Sequence, residues 1–91
     1  MEPKARWTLH ALDALAEREI DRIEAERTLE APEFIVLEPR ERSVLMRRYF
    51  DASLARPMLM RLIVEDTSNG RIVVTVYKTS RIRKYLKGFL P

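Results

Sequence analysis

The chain has 91 residues, 46% of them hydrophobic, with a net charge of +3, the length and balance of one globular domain spanning residues 1–91. It contains no cysteine and a single histidine, His10, which excludes disulfides, thiolate chemistry and a multi-histidine metal site within one chain. No apolar run approaches the roughly 20 residues of a membrane span and residues 1–30 lack a signal-peptide core, so a cytoplasmic protein with no membrane association, metal or cofactor is expected.

Thr8 can cap a first helix running to about Glu19, with Leu9, Leu12, Leu15, Ala16 and Ile20 as its buried stripe. Asp21 followed by Glu24 reads as a capping box that opens a second helix. Ala31-Pro32 closes it, because a residue before proline disfavours helical geometry. The pattern then turns to strands. Glu33–Leu37 is a short apolar run ended by Glu38-Pro39. Ser43–Phe50 sets Val44, Met46 and Phe50 against Leu45, Arg47 and Tyr49. Met58–Glu65 sets Met58, Met60, Leu62 and Val64 against Leu59, Arg61, Ile63 and Glu65. Asn69-Gly70 signals a hairpin turn, since both residues tolerate positive φ. In Arg71–Thr79, Ile72, Val74 and Val76 are expected on one face and Val73, Thr75, Tyr77 and Thr79 on the other. Thr79 or Ser80 is then placed to cap a short basic helix containing Arg81, Arg83, Lys84, Tyr85 and Lys87. Helices followed by strands indicate an α+β fold, with two N-terminal helices packed on an antiparallel sheet of about four strands and a short basic C-terminal helix.

Charge is divided unevenly along this order. Residues 1–38 hold five bases and ten acids, whereas residues 39–91 hold twelve bases and four acids, and no acid follows Asp66. Thirteen of the seventeen bases are arginine, whose planar fork matches phosphate and carboxylate alike. Two outcomes follow from this division. The acidic helices and the basic sheet neutralise each other on folding, or a basic surface is left for phosphates or an acidic protein.

The ending Thr75-Val76-Tyr77-Lys78-Thr79-Ser80-Arg81-Ile82-Arg83-Lys84-Tyr85, together with His10-Ala11 and Arg18-Glu19-Ile20, resembles the small bacterial family catalogued as domain of unknown function DUF4258. The resemblance covers about Trp7 to Lys87. It departs at Leu12 and Ala14, where members often carry arginine. That family is similar to the RelE/ParE group of toxin folds, which pack two N-terminal helices on an antiparallel sheet. The resemblance therefore implies a toxin-like RNA-binding protein of the metal-independent ribonuclease type, with RNA, ribosome-associated or free, and a cognate antitoxin as partners. A non-catalytic module that binds an acidic protein, and a domesticated fold without activity, are the other readings. Fold likeness alone does not establish chemistry.

Cleavage of RNA without a metal needs a proton acceptor, a proton donor and a cation for the phosphorane charge. His10, the one side chain that ordinarily titrates near neutrality, falls on the helix side away from Leu9, Leu12 and Ala16, toward Asp13 and Glu17. Tyr77 can carry a proton or stack on a base, or simply cover the sheet. Arg61, central in an apolar strand, must reach a phosphate, a carboxylate or an open face, and Arg47 poses the same choice one strand away. Thr79 is assigned an assisting role. The expected catalytic set is His10, Arg61, Tyr77 and Thr79, and the expected nucleic-acid contacts are Arg47, Lys78, Ser80, Arg81, Arg83 and Lys84.

Overall fold

A computed structural model describes residues 5–90. Along the chain run β1 (Arg6–Trp7), α1 (Leu9–Glu17), α2 (Arg22–Glu30), β2 (Phe34–Glu38), β3 (Arg42–Asp51), β4 (Arg56–Thr67), β5 (Gly70–Thr79) and α3 (Ile82–Leu86). The fold is α+β, and its five strands lie in the order β1-β5-β4-β3-β2. All neighbours are antiparallel except β1, a two-residue strand that runs parallel to β5 through Arg6–Ile72 and Trp7–Val73. That fifth strand has too few residues to show a period of two.

The sheet is covered on both faces. Met58, Met60, Leu62 and Val64 of β4, with Leu45 and Tyr49 of β3 and Val73 and Val76 of β5, meet α1 and α2 in one core. Val44 and Met46 of β3 and Leu59 of β4 point the other way, to Leu86 of α3, with Ile63, Ile82 and Tyr85 packed around them. The alternation expected for β3 and β4 is therefore the one observed. In β5 it is broken. Opposite Ile63 and Val64 the register slips by one residue, so Thr75 pairs with Ile63 while Val73 pairs with Val64. This bulge absorbs Val74 and turns Val73, not Val74, to the helices alongside Val76.

The first helix also departs from its expected stripe. Ala11, Ala14 and Leu15 are buried, whereas Leu9 (75% exposed), Leu12 and Ala16 face outward. The cause is the anchoring of the helix at its start. Thr8 N–H donates to Val73 O at 3.1 Å and its hydroxyl donates to Val74 O at 3.0 Å, while the same oxygen accepts from Ala11 N. These bonds fix the rotation of α1 about its axis and bring its small alanines against the sheet. Arg18, exposed at the C-cap of α1, reaches over to donate to Val76 O at 2.7 Å. The helix ends in a Schellman pattern, with Glu19 N–H bonded to Ala16 O and Ile20 N–H to Leu15 O. Glu19 takes the left-handed position (φ 52°) usually given to glycine, and the buried Ile20 follows outside the helix.

Asp21 caps α2 by accepting from Ile23 N at 2.9 Å. The expected reciprocal bond from Glu24 is not made, because Glu24 turns to Arg27 and Arg47. In the β4–β5 hairpin the loop residues are Ser68 and Asn69. Thr67 Oγ1 accepts from Asn69 N and donates to Gly70 O, and only Gly70 (φ 119°) has positive φ in that turn. The last helix starts at Ile82 without a side-chain cap, and Thr79 Oγ1 instead accepts from Arg81 N just before it. No helix among the described residues is long and apolar enough to cross a membrane.

One buried ion pair ties three segments together. Lys78 Nζ lies 2.9 Å from Asp51 Oδ2 and donates to Glu19 O at 2.8 Å, with the two side chains only 11% and 8% exposed. Asp51 also accepts from Tyr49 OH and Leu54 N. Its carboxyl is held below the usual carboxylate range, first by the Lys78 hydrogen bond and then by the Leu54 amide. A depressed carboxylate stabilises the fold above its unfolded value near pH 3.9, and that stabilisation is lost as pH falls through the lower folded value. Lys78→Met leaves the carboxylate buried without its cation and is expected to cost roughly 3–5 kcal/mol in urea unfolding at pH 7. Below about pH 4 the loss of stability on acidification is expected to be smaller in that variant than in wild type.

Candidate functional site

The face of the sheet that carries α3 gathers most of the expected site. Arg61 projects there from β4, beside Met46 of β3 and Tyr77 of β5, its two cross-strand neighbours. Thr79 lies two residues further along β5 on the same face, opposite Leu59. Ser80 and Arg81 lead from the strand into α3, which carries Arg83 and Lys84. Helix α3 is held by Ile82, Tyr85 and Leu86, spaced as one helical stripe against Val44, Met46, Leu59 and Ile63. Phe89, three residues beyond the helix, packs tilted at 55° on Phe34 of β2, with ring centroids 5.2 Å apart.

Arg61 is gripped by aromatic rings. Its guanidinium carbon lies 4.1 Å from the Tyr85 ring centroid and 4.9 Å from that of Tyr77, and the two rings meet edge to face at 6.5 Å. Its Nε donates to Met46 Sδ at 3.4 Å, a weak acceptor. No carboxylate forms a salt bridge with it among the described residues. Burial lowers its pKa from the ordinary arginine value, and Tyr85 and Glu38 partly offset that; a guanidinium keeps its charge throughout. Lys84 Nζ also lies over the same tyrosine, 5.3 Å from the centroid. Two cations thus share the Tyr85 ring, each attracted by its negative face. Arg81, Arg83, Lys84 and Lys87 are all exposed and lack salt bridges among the described residues.

Arg47 has the opposite fate. It projects from β3 to the helix side, where its Nη2 donates to Glu24 Oε1 at 2.8 Å and to Glu24 O, and its Nε to Thr28 Oγ1. Lys78 is buried on that side too, in the pair with Asp51. His10 is exposed on α1, in the helical layer across the sheet from Arg61 and Tyr77. The structure therefore brings Arg61, Tyr77 and Thr79 together with Ser80, Arg81, Arg83 and Lys84, and keeps His10, Arg47 and Lys78 apart from them. Arg47 and Arg61 cannot grip one phosphate, because the sheet lies between them.

Charge neutralisation follows the same division. Arg22, Arg27, Arg47 and Lys78 pair with Glu26, Glu24 and Asp51 in the helical layer or beneath it, and Arg48, Arg42 and Arg71 pair with Glu33, Glu65 and Asp66 on the strands. Glu33 is held below the ordinary carboxylate range by its bonds from Arg48. Seven of the described bases are thus neutralised on folding, whereas Arg6, Arg18, Arg40 and Arg56 stand without a salt bridge at scattered positions and Arg61, Arg81, Arg83, Lys84 and Lys87 do so together at α3.

Tyr85 is the residue missing from the expected site. Its signal was its place in the stripe Ile82, Tyr85, Leu86 and Phe89, which turns an aromatic ring from a basic helix onto the sheet face of Arg61. An open cleft lined by Trp7, Leu29, Ile35 and the Asp66–Arg71 pair lies on the helix side and holds none of the expected site residues. Among the described residues no group of three or more His, Cys, Asp or Glu side chains is placed to hold a metal ion.

The family model described as domain of unknown function DUF4258 matches residues 7–78. No curated protein and no solved structure matches the chain. The matched segment contains Arg61 and Tyr77, while Thr79 and α3 follow it.

Replacing the two arginines by leucine separates their roles. Arg47→Leu removes the bonds to Glu24 and Thr28 and leaves Glu24 only its more exposed partner Arg27, and is expected to lower unfolding free energy by about 2–3 kcal/mol. Arg61→Leu leaves no carboxylate unpaired and is expected to stay within about 1 kcal/mol of wild type. Urea unfolding of both variants checks the contrast.

Proposed function

Taking as premise that the chain belongs to the DUF4258 family, we propose that it binds single-stranded RNA on the α3 face of its sheet, as a RelE/ParE-like toxin fold would. The observation that carries this reading is Arg61, a partly desolvated guanidinium in the corner of two edge-to-face tyrosine rings and without a salt bridge among the described residues, whereas Arg47 and Lys78 on the other face are paired. A phosphate accepts bidentate bonds from such a fork, and its double charge-assisted contact is worth more in a partly desolvated site than in water. Tyr77 offers a ring on which a base can stack, in a manner that tolerates any base. Arg81, Arg83 and Lys84 extend the positive field along the path of a backbone, adding affinity without sequence preference.

For cleavage, Arg61 would steady the negative charge of the phosphorane, with Thr79 as a further donor. The proton carriers beside it are Tyr77 and Tyr85; His10, across the sheet, has no part in this reading. Binding is the better supported half of the proposal, because it needs only the cluster of cations and rings. Cleavage needs in addition a hydroxyl that gives up its proton near neutrality.

Fluorescence anisotropy with a labelled single-stranded RNA tests the proposal. Affinity is expected to fall steeply between about 50 and 200 mM salt, with log K declining by roughly 0.7 per phosphate neutralised for each unit of log salt. Arg61→Ala and Tyr77→Ala are each expected to weaken binding about tenfold, one stack or one charged bond being worth ~1–3 kcal/mol. His10→Ala is expected to bind as wild type. Absence of salt-dependent binding, or a loss that follows His10 and spares Arg61, contradicts it. Intact RNA after incubation with wild type would remove the cleavage half alone.

A further inference from the structure

Helix α1 shows solvent a second apolar stripe. Leu9, Leu12 and Ala16, spaced three and four residues apart, are all exposed, Leu9 at 75% and Leu12 at 37%. Beside them on the exposed side stand Asp13 and Glu17, about 6 Å apart along the helix axis. Neither forms a salt bridge among the described residues, and Arg18, the base that follows, turns away to donate to Val76 O. The stripe is an apolar ridge lined by uncompensated carboxylates.

The outer side of α3 is its counterpart. Arg83 and Lys87 are likewise four residues apart, with Lys87 still in helical geometry at φ −54° and ψ −35°, and Lys84 lies between them in sequence. All three are exposed and without a salt bridge among the described residues. Each carries an aliphatic stem that can lie along an apolar ridge while its charge reaches a partner. A pair of carboxylates on one helix thus matches a pair of cations at the same spacing on another, and the leucines of the ridge match hydrocarbon stems.

We propose that the outer face of α1 in one copy of this chain docks on the outer face of α3 in a second copy. The two faces cannot meet within one chain, because α1 packs on one side of the sheet and α3 on the other. Each copy therefore offers an acidic face and a basic face on opposite sides, and the contact repeats head to tail instead of closing at a dimer. Opposite charge selects this occupant. A second α1 face would bring carboxylates onto carboxylates, and α3 on α3 would bring cations onto cations. Exposed ion pairs are individually weak and screened by salt, so the association belongs to low ionic strength and high protein concentration. The proposal does not rest on RNA binding, although an RNA strand on α3 would compete for Arg83 and Lys84.

Sedimentation velocity from about 10 to 500 μM protein, in roughly 20 mM and roughly 500 mM salt, tests it. In low salt the weight-average sedimentation coefficient is expected to climb with concentration past that of a dimer, and in high salt to stay at the monomer value. Asp13→Lys with Glu17→Lys, and separately Arg83→Glu with Lys87→Glu, are each expected to raise the dissociation constant at least tenfold. Circular dichroism should not change, because all four side chains are exposed. An equimolar mixture of these two variants is expected to associate again, since each then meets the opposite charge. Controls of the same net charge are Glu30→Lys with Glu41→Lys, and Arg40→Glu with Arg56→Glu. They alter exposed residues on neither face and are expected to behave as wild type. A monomer in low salt overturns the proposal, and so does association that stops at a dimer or persists in high salt. It is equally overturned if the α1 and α3 variants associate as wild type, if the controls lose association as they do, or if mixing fails to restore it.

Discussion

Strand β4 lies in the middle of the sheet, and its two-residue period sorts nearly everything else in the molecule onto one face or the other. Met58, Met60, Leu62 and Val64 meet the helices, while Leu59, Arg61 and Ile63 meet α3. Cross-strand pairing then carries the assignment outward, since directly paired residues share a face. Met46 and Tyr77 must stand with Arg61, and Arg47 must stand with Met60. A one-residue slip of β4 would turn Arg61 to the helix side with Arg47, away from Tyr77 and Tyr85.

That sorting explains why so basic a C-terminal half coexists with so acidic an N-terminal one. Helix α2 presents Glu24 to Arg47, and the hairpin after β3 presents Asp51 to Lys78, so bases turned toward the helices are paired. No acid follows Asp66 in the chain, and α3 brings cations, the Tyr85 ring and apolar side chains but no carboxylate to the opposite face. The modest net charge conceals a protein in which Arg47 and Lys78, turned to the helices, are paired with acids and Arg61 and the bases of α3 are not. Arg61 sits where that free charge reaches the sheet.

Most of the fold is legible in the sequence because β4 alternates, β3 does so less cleanly but in the same parity, and proline and glycine mark the boundaries of α2 and β5. What is not legible depends on tertiary anchoring. The phase of α1 follows from Thr8 bonding to Val73 and Val74, and leucines that look like a core stripe end up in solvent. The β5 bulge exchanges Val74 for Val73 in the core, and nothing in a run of Ile72, Val73 and Val74 marks where an extra residue will be absorbed. In the candidate site, Arg61 and Tyr77 are legible as a charged residue and an aromatic on the outward parity of neighbouring strands. Arg47 looks equivalent to Arg61 in sequence, and only the carboxylate of Glu24, on another element, separates their roles. The family match over residues 7–78 agrees with the resemblance carried by the C-terminal motif up to Lys78.

The central claim is that the proposed ligand surface lies at Arg61 and α3, where five bases without a salt bridge gather. Nuclear magnetic resonance of the arginine Nε–H groups and backbone amides during titration with a single-stranded oligonucleotide tests it most directly. The account predicts that the Arg61 Nε–H signal and the amides of Tyr77 and Ile82–Leu86 shift in proportion to ligand bound, while the Arg47 Nε–H and the amides around His10 stay in place. Shifts centred on α1 and Arg47, with Arg61 unmoved, would contradict it.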